Sequence, residues 1–255
     1  MKIVSIIPAR MGASRFPGKP MAEINGMPMI GHVYKRVKLN KTLNEVYVAT
    51  CDQIIFEYIN SIGGKAVMTS DCHERCSDRC AEAMLKIEEQ EGVKIDIVVM
   101  VQGDEPLVHP AMIDESLAPM IENEDILVTN LMAEINDISE FKDPNEIKVV
   151  VDSDDSALYF SREPIPTMTK FSNVPMLKQV CIIPFRRSFL LHFNNMEPTK
   201  LEIIESIDML RILENKMKVQ MVNTNFVTKS VDTQSDLNKV SEMMKDDEIF
   251  NTYFS

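Results

Sequence analysis

Three cations crowd a short stretch near the start of the chain. Arg10, Arg15 and Lys19 fall five and four residues apart, in a segment broken by Gly12, Pro17 and Gly18. Arginine presents a planar fork suited to phosphate oxygens, and lysine adds a mobile point charge. Glycine allows positive φ and close approach of the backbone to a ligand. These residue types describe a loop that holds a polyphosphate. It is neither a P-loop, since the order G-x-x-x-x-G-K-[ST] is missing, nor a dinucleotide fingerprint. A second cluster follows the β-branched run at residues 96–102: Gln102-Gly103-Asp104-Glu105-Pro106 places two carboxylates beside a glycine. Hard carboxylate oxygens at a strand end suit Mg²⁺, which is commonly held by one or two carboxylates and substrate phosphates. A third segment, Ser230-Val231-Asp232-Thr233, offers one more carboxylate. Taken alone, Asp232 or Thr233 reads as the cap of the helix that follows.

The elements that must position these groups alternate along the chain. Residues 3–8 read as a buried strand, 29–39 as a helix, 45–50 as a strand and 53–62 as a helix stopped by Gly63-Gly64. A short strand at 66–68, a helix at 79–91, the strand at 96–102, a helix at 110–123 and a strand at 126–131 continue the rhythm. Alternating βα units predict a mainly parallel sheet with helices on both faces, and ligands at the carboxyl ends of its strands. The pattern then changes. Strands are expected at 147–151, 157–161, 179–185 and 219–222, a long loop at 161–175, and helices at 201–215 and 235–245. The expectation is one α/β unit over residues 1–255, with a smaller α/β lobe inserted at 132–227.

Composition narrows the function classes. The chain has 255 residues, 45% apolar and 26% charged, with a formal charge of −12. Such an acidic protein lacks the basic footprint of a nucleic-acid binder and has no electrostatic attraction to an anionic membrane. No signal-peptide pattern or membrane-length apolar run is evident. Five cysteines without a secretory context point to free thiols in a reducing cytoplasm. The nineteen methionines read as core filler.

Taken together, the motifs resemble the cytidylyltransferases that activate 3-deoxy-manno-octulosonate. The resemblance rests on Pro8-Ala9-Arg10, Ser14-Arg15, Pro17-Gly18-Lys19-Pro20, Asn25-Gly26, Gln102-Gly103-Asp104-Glu105-Pro106 and Val231-Asp232-Thr233. Asp143-Pro144-Asn145, Lys148-Val149-Val150, Tyr159-Phe160-Ser161-Arg162 and Leu201-Glu202 extend it, in order, over nearly the whole chain. It implies a Rossmann-like nucleotidyltransferase sheet, CTP as donor, Mg²⁺ as cofactor, a small acidic acceptor and a homodimer. It also implies roles by position. Arg10, Arg15 and Lys19 would hold the triphosphate and serve catalysis with Asp104. Asp104 and Asp232 would hold the metal. Pro8, Ala9, Ser77, Arg79 and Gln102 would lie along the nucleotide. Gln102, Arg162, Gln179 and Glu205 would line the acceptor site, which the 132–227 lobe would supply together with the dimer contacts.

The chain departs from the family in one place. Where the family usually carries a His and tyrosines facing the sugar acid, this chain has Gln179, Ile183 and Phe185, with Cys181 in place of a Gly. An apolar wall there would leave a polyhydroxylated acid without partners. Two alternatives follow: a cytidylyltransferase for another acid such as a phosphonate, and a non-catalytic nucleotide-binding regulator. Cys72, Cys76 and Cys80 are spaced four apart beside His73. Structural zinc sites usually use loop pairs and four ligands, so unconnected thiols are expected. His32 reads as a packed helix residue, and His109 as a cap or surface group that could approach the acceptor.

Overall fold

The computed structural model describes residues 1–12, 15–171 and 173–254. In chain order the elements are β1 (Ile3–Ala9), β2 (Glu23–Ile24), β3 (Met27–Pro28), α1 (Met29–Lys38), β4 (Glu45–Thr50), α2 (Gln53–Ser61), β5 (Ala66–Met68), α3 (Cys76–Glu91), β6 (Ile97–Val101) and α4 (Pro110–Glu122). They continue with β7 (Thr129–Glu134), α5 (Ile138–Phe141), β8 (Lys148–Val151), β9 (Ala157–Ser161), β10 (Leu177–Val180), β11 (Ile182–Arg186), α6 (Arg187–Asn194), α7 (Lys200–Glu205), α8 (Met209–Glu214), β12 (Gln220–Thr224), α9 (Gln234–Lys245) and α10 (Phe250–Tyr253).

The first sheet has the order β11-β6-β1-β4-β5. Its β6, β1, β4 and β5 run parallel, and β11 is antiparallel at the edge. Every residue of β1 is buried, as expected for a strand covered on both faces. Alternation sends Val4 and Ile6 toward Met84 and Ile87 of α3 and Phe189 and Phe193 of α6. Ile3 and Ile7 face the other way, toward α1, α2 and α4. Helices therefore cover both faces, as the βα rhythm requires. The second sheet, β12-β7-β10-β8-β9, is mixed, with only β12 and β7 parallel. It gathers strands from residues 129–224, while β11 crosses back to the first sheet.

That crossing corrects one expectation. Residues 179–185 were expected to form one strand, but the chain breaks at Cys181. β10 pairs with β7 and β8, whereas β11 pairs with β6, so the two halves belong to different sheets. The helix expected at 201–215 is likewise two short ones. Ser206 adopts a left-handed conformation with φ 55°, and Arg162 donates to the carbonyls of Glu205 (2.8 Å) and Ser206 (3.3 Å). The side chain thus satisfies groups that a continuous helix would have paired internally. Helix α3 starts at Cys76, three residues before the expected Arg79, and β7 starts at Thr129 rather than 126. Helix α6, the β2–β3 hairpin, α5 and α10 carry no expectation from the sequence.

A third, smaller core joins distant segments. Ile24, Met29, Leu107, Val231, Leu237, Val240 and Met244 pack together, with Phe16 and Phe250 against them. Phe16 follows Arg15, Leu107 lies just past Asp104, and Val231 precedes Asp232. One apolar cluster therefore anchors all three chemistry-bearing segments. Nearby, His32 is sealed in α1, with Nε2 on the Ile24 carbonyl (2.8 Å) and Nδ1 on the Tyr253 hydroxyl (2.9 Å). Burial first, and the Arg36 and Lys35 charges next, pull its pKa down to about 4 against the backbone contacts that raise it. The unfolded chain binds a proton near pH 6.5 that the fold refuses until about pH 4. Stability is expected to fall as pH drops through that window. Urea unfolding across pH 4–7 should show this loss in the native protein and a shallower one in His32→Gln.

Candidate functional site

The site lies at the carboxyl ends of β1 and β6. Their register sets Ile6 beside Met100, so Pro8 runs level with Gln102 and Ala9 with Gly103 where the strands end. Gly103 permits this. A Cβ there would sit 3.0 Å from the Pro8 carbonyl and 3.2 Å from Ile30 Cδ1. The loop after β1 is held at its root by Met11 N–H donating to Asp52 Oδ2 (2.8 Å). Gly18 then turns at φ 75°, its N–H donating to the Met11 carbonyl, and aims Lys19 into the cleft. Ser14, quoted in the resemblance, lies outside the described residues.

Lys19 is the centre of the charge arrangement. Its Nζ lies 2.7 Å from Asp104 Oδ2 and 3.2 Å from Asp232 Oδ1. Arg15 Nη2 reaches Asp232 Oδ1 at 3.1 Å, and its Nη1 contacts Asn145 Oδ1. Burial opposes the ammonium's charge, but the two carboxylates outweigh it and raise its pKa. The Val231 N–H donates to the Asp104 carbonyl (3.0 Å), which sews the two carboxylate-bearing segments together. The capping reading of this segment divides cleanly. Thr233 caps α9 in a box with Asp236, while the Asp232 side chain turns to the cations.

The cleft has two halves that share Arg15, Gln102, Asp104 and Asp232. One is lined further by Pro8, Ala9, Arg10, Phe16, Lys19 and Cys76. The other is lined by Glu105, Asn145, Arg162, Lys178, Gln179 and Asp208, among others. The structure therefore brings together every catalytic and metal-binding candidate, with Gln102, Arg162 and Gln179. Three candidates stand behind the wall. Ser77 Oγ points to Asp208 Oδ2 (3.4 Å). The buried Arg79 guanidinium grips Thr69 Oγ1 and the Ser70 carbonyl (3.1 Å). Glu205 accepts from Ser161 Oγ and the Arg162 N–H, both at 2.9 Å, and so acts on the cavity through Arg162.

The second half is more polar than the substitutions at 179–185 suggest. Phe185 is not in the wall; it packs in the core against Phe189 and Phe193. Ile183 and Cys181 do line the cavity, but Arg162, Lys178, Gln179 and Asn145 surround them. Lys178, Glu105 and Asp208 carry no assignment from the sequence. Their signals were a lysine just before the strand read at 179–185, the second carboxylate of the Asp104 motif, and an aspartate set between Ile207 and Met209 in the helical pattern. Burial pushes the Glu105 carboxyl up to about 8, Asp104 adds to the shift, and Lys178 opposes it. Burial likewise raises Asp208.

The remaining candidates add no reactive group to the cleft, although Cys76 lines its first half. His109 caps α4, Nδ1 accepting from the Ala111 N–H (3.1 Å), and stacks on Phe226. Cys72 lies before α3, so the three thiols do not share a helix face. Among the described residues no three or more His, Cys, Asp or Glu side chains gather as a metal site. Burial pushes the Cys76 thiol up to about 12 and raises the Cys80 thiol well above its usual value, so neither is a ready thiolate.

A mainly parallel sheet with a cationic loop after β1, Asp104 after β6 and Asp232 brought against the same ammonium has the features of a nucleotidyltransferase. The family model for cytidylyltransferases matches residues 4–247. The 3-deoxy-manno-octulosonate cytidylyltransferase of Geotalea daltonii is 43% identical over 257 residues, covering 96% of this chain and 99% of that protein. Its counterpart from Geobacter metallireducens is also 43% identical, covering 96% and 98%. The solved structure of CMP:2-keto-3-deoxy-manno-octonic acid synthetase complexed with CTP superposes with a TM-score of 0.87 at 36% identity, covering 96% of this chain and 99% of that one. The chain belongs to the cytidylyltransferase family, and the resemblance read from the sequence to its 3-deoxy-manno-octulosonate members is met.

The triad geometry yields a stability test. Lys19→Met leaves two facing carboxylates without their shared cation, and should lower stability by about 1–3 kcal/mol. Urea unfolding at neutral pH and low salt measures it, and an unchanged midpoint would contradict the account.

Proposed function

We propose that the protein transfers CMP from CTP to 3-deoxy-manno-octulosonate or a close sugar acid, releasing pyrophosphate. The observation that carries this reading is the junction of the two cavity halves at Arg15, Gln102, Asp104 and Asp232. The triphosphate would occupy the half lined by Pro8, Ala9, Arg10 and Lys19, and the acceptor the half lined by Arg162, Lys178 and Gln179. The α-phosphorus would then lie where the halves meet. An acceptor oxygen attacks it in line, the new O–P bond forms while any hydroxyl proton on that oxygen passes to water, the α–β bridge bond breaks and pyrophosphate leaves. Such transfers depend chiefly on positioning and charge neutralisation. Arg10, Arg15 and Lys19 take up the charge of the departing pyrophosphate. Ser77 and Arg79 would act on the nucleotide through the start of α3 and the 69–73 loop that they hold.

Mg²⁺ fits the donor set. Asp104 Oδ2 and Asp232 Oδ1 converge on the single Lys19 ammonium, so two hard oxygens already face one point. Phosphate and water oxygens would complete the shell that Mg²⁺ requires. Bound there, the ion supplies charge neutralisation at the phosphates. The polar second half favours a sugar acid over a phosphonate, and the assembled cleft favours an enzyme over a binding regulator.

Other parts of the reading have separate support. Exposed Leu158, Ile203 and Ile204 on the second-sheet side support a homodimer built on the 132–227 lobe, which sedimentation would test. Five free cysteines support a cytoplasmic setting, and among the described residues no helix is long and apolar enough to cross a membrane. The decisive assay is pyrophosphate release with CTP and a panel of sugar acids and phosphonates. Asp104→Asn should abolish product formation while circular dichroism shows an intact fold; near-normal turnover would sink the proposal. With Mg²⁺ added, Lys19→Met should gain more thermal stability than the native protein, because its carboxylates are free to bind the ion. Equal gains would remove Asp104 and Asp232 as the metal site.

A further inference from the structure

Behind the acceptor half lies a buried amide whose orientation is decided by the backbone. Asn130, in β7, is fully buried. Its Nδ2 donates to the carbonyls of Val180 (2.7 Å) and Leu131 (3.0 Å). Carbonyl oxygens only accept, so the amide nitrogen must face them and Oδ1 must face away. That Oδ1 accepts from Gln179 Nε2 at 2.6 Å. An amide oxygen cannot donate, so Gln179 has to present its nitrogen to Asn130. Gln179 Oε1 then has no partner among the described residues, and it is not sealed within the protein. Gln179 itself lines the acceptor half beside Gln102, Arg162 and Lys178.

We propose that Asn130 is a positioning residue for acceptor selectivity, acting through Gln179. Two backbone carbonyls fix Asn130, Asn130 fixes the Gln179 amide, and Oε1 is turned into the cavity as a hydrogen-bond acceptor. The group that meets it is a hydroxyl of the sugar acid. A carboxylate oxygen in that place would set two acceptors against each other with no proton between them. This part of the wall therefore reads a polyhydroxylated chain, and the acceptor's carboxylate lies elsewhere in the cavity. The inference rests on the cytidylyltransferase reading and adds the polarity of one contact and the buried residue that sets it.

Steady-state kinetics with CTP and 3-deoxy-manno-octulosonate test it in the native protein, Gln179→Met, Asn130→Ala and the double variant. Gln179→Met is expected to raise the acceptor KM on the order of tenfold, with the CTP KM unchanged. Asn130→Ala should raise it comparably, and the double variant should be no worse than Gln179→Met alone. Asn130→Ser, whose hydroxyl can still donate to Val180, serves if the alanine variant does not fold. An unchanged acceptor KM in Gln179→Met, or additive effects in the double variant, overturns the inference alone. A native protein that releases no pyrophosphate with any sugar acid overturns the underlying reading and the inference with it.

Discussion

Three segments far apart in sequence depend on one ammonium group. Lys19 holds Asp104 and Asp232 on the same point, from a loop 85 residues before the first and 213 before the second. Without that shared cation, two carboxylates a few ångströms apart would repel at the mouth of the sheet. The triad also explains the packing around it. The apolar cluster of Phe16, Leu107, Val231 and α9 holds the same three segments from behind, and the Val231–Asp104 backbone bond holds them from the side. A polar site this charged is stable because an apolar scaffold fixes its parts before they meet a ligand.

The second constraint is the crossing of the chain between sheets at Cys181. Because β10 belongs to one sheet and β11 to the other, the Cys181 carbonyl is free to accept from the Gln102 N–H (3.0 Å). That bond places the Gln179 wall of the cavity against the end of β6, beside Asp104. The break at Ser206 does similar work on the opposite wall, where Arg162 closes over two carbonyls and Asp208 faces the cavity. Both irregularities lie at the cavity, and both exist because side-chain or cross-sheet partners replace regular backbone pairing.

What the sequence disclosed follows from this division. Residues 3–8 and 97–101 announce themselves as strands because both faces are buried and largely apolar. The cations and carboxylates after them stand out because they interrupt those runs. Gln179, Arg162 and Glu205 became candidates through resemblance, and their neighbours Lys178, Asn145 and Asp208 did not. Their proximity is created by strand pairing between residues tens of positions apart. A single strand at 179–185 and a single helix at 201–215 were reasonable readings of local periodicity. Periodicity contains no information on which sheet a residue joins, or on a distant arginine that takes a helix's carbonyls. Phe185 illustrates the same limit, since its place in the core rather than the wall depends on the register of β11 with β6.

The central claim is that the α-phosphorus of CTP is presented between the two aspartates, with the acceptor on the Gln179 side. A crystal structure with CTP, Mg²⁺ and 3-deoxy-manno-octulosonate tests it most directly. The account predicts the triphosphate against Arg10, Arg15 and Lys19, the metal on Asp104 and Asp232, and the sugar acid against Arg162 and Gln179. A triphosphate lying in the Gln179 half, or a metal held away from both aspartates, would contradict it.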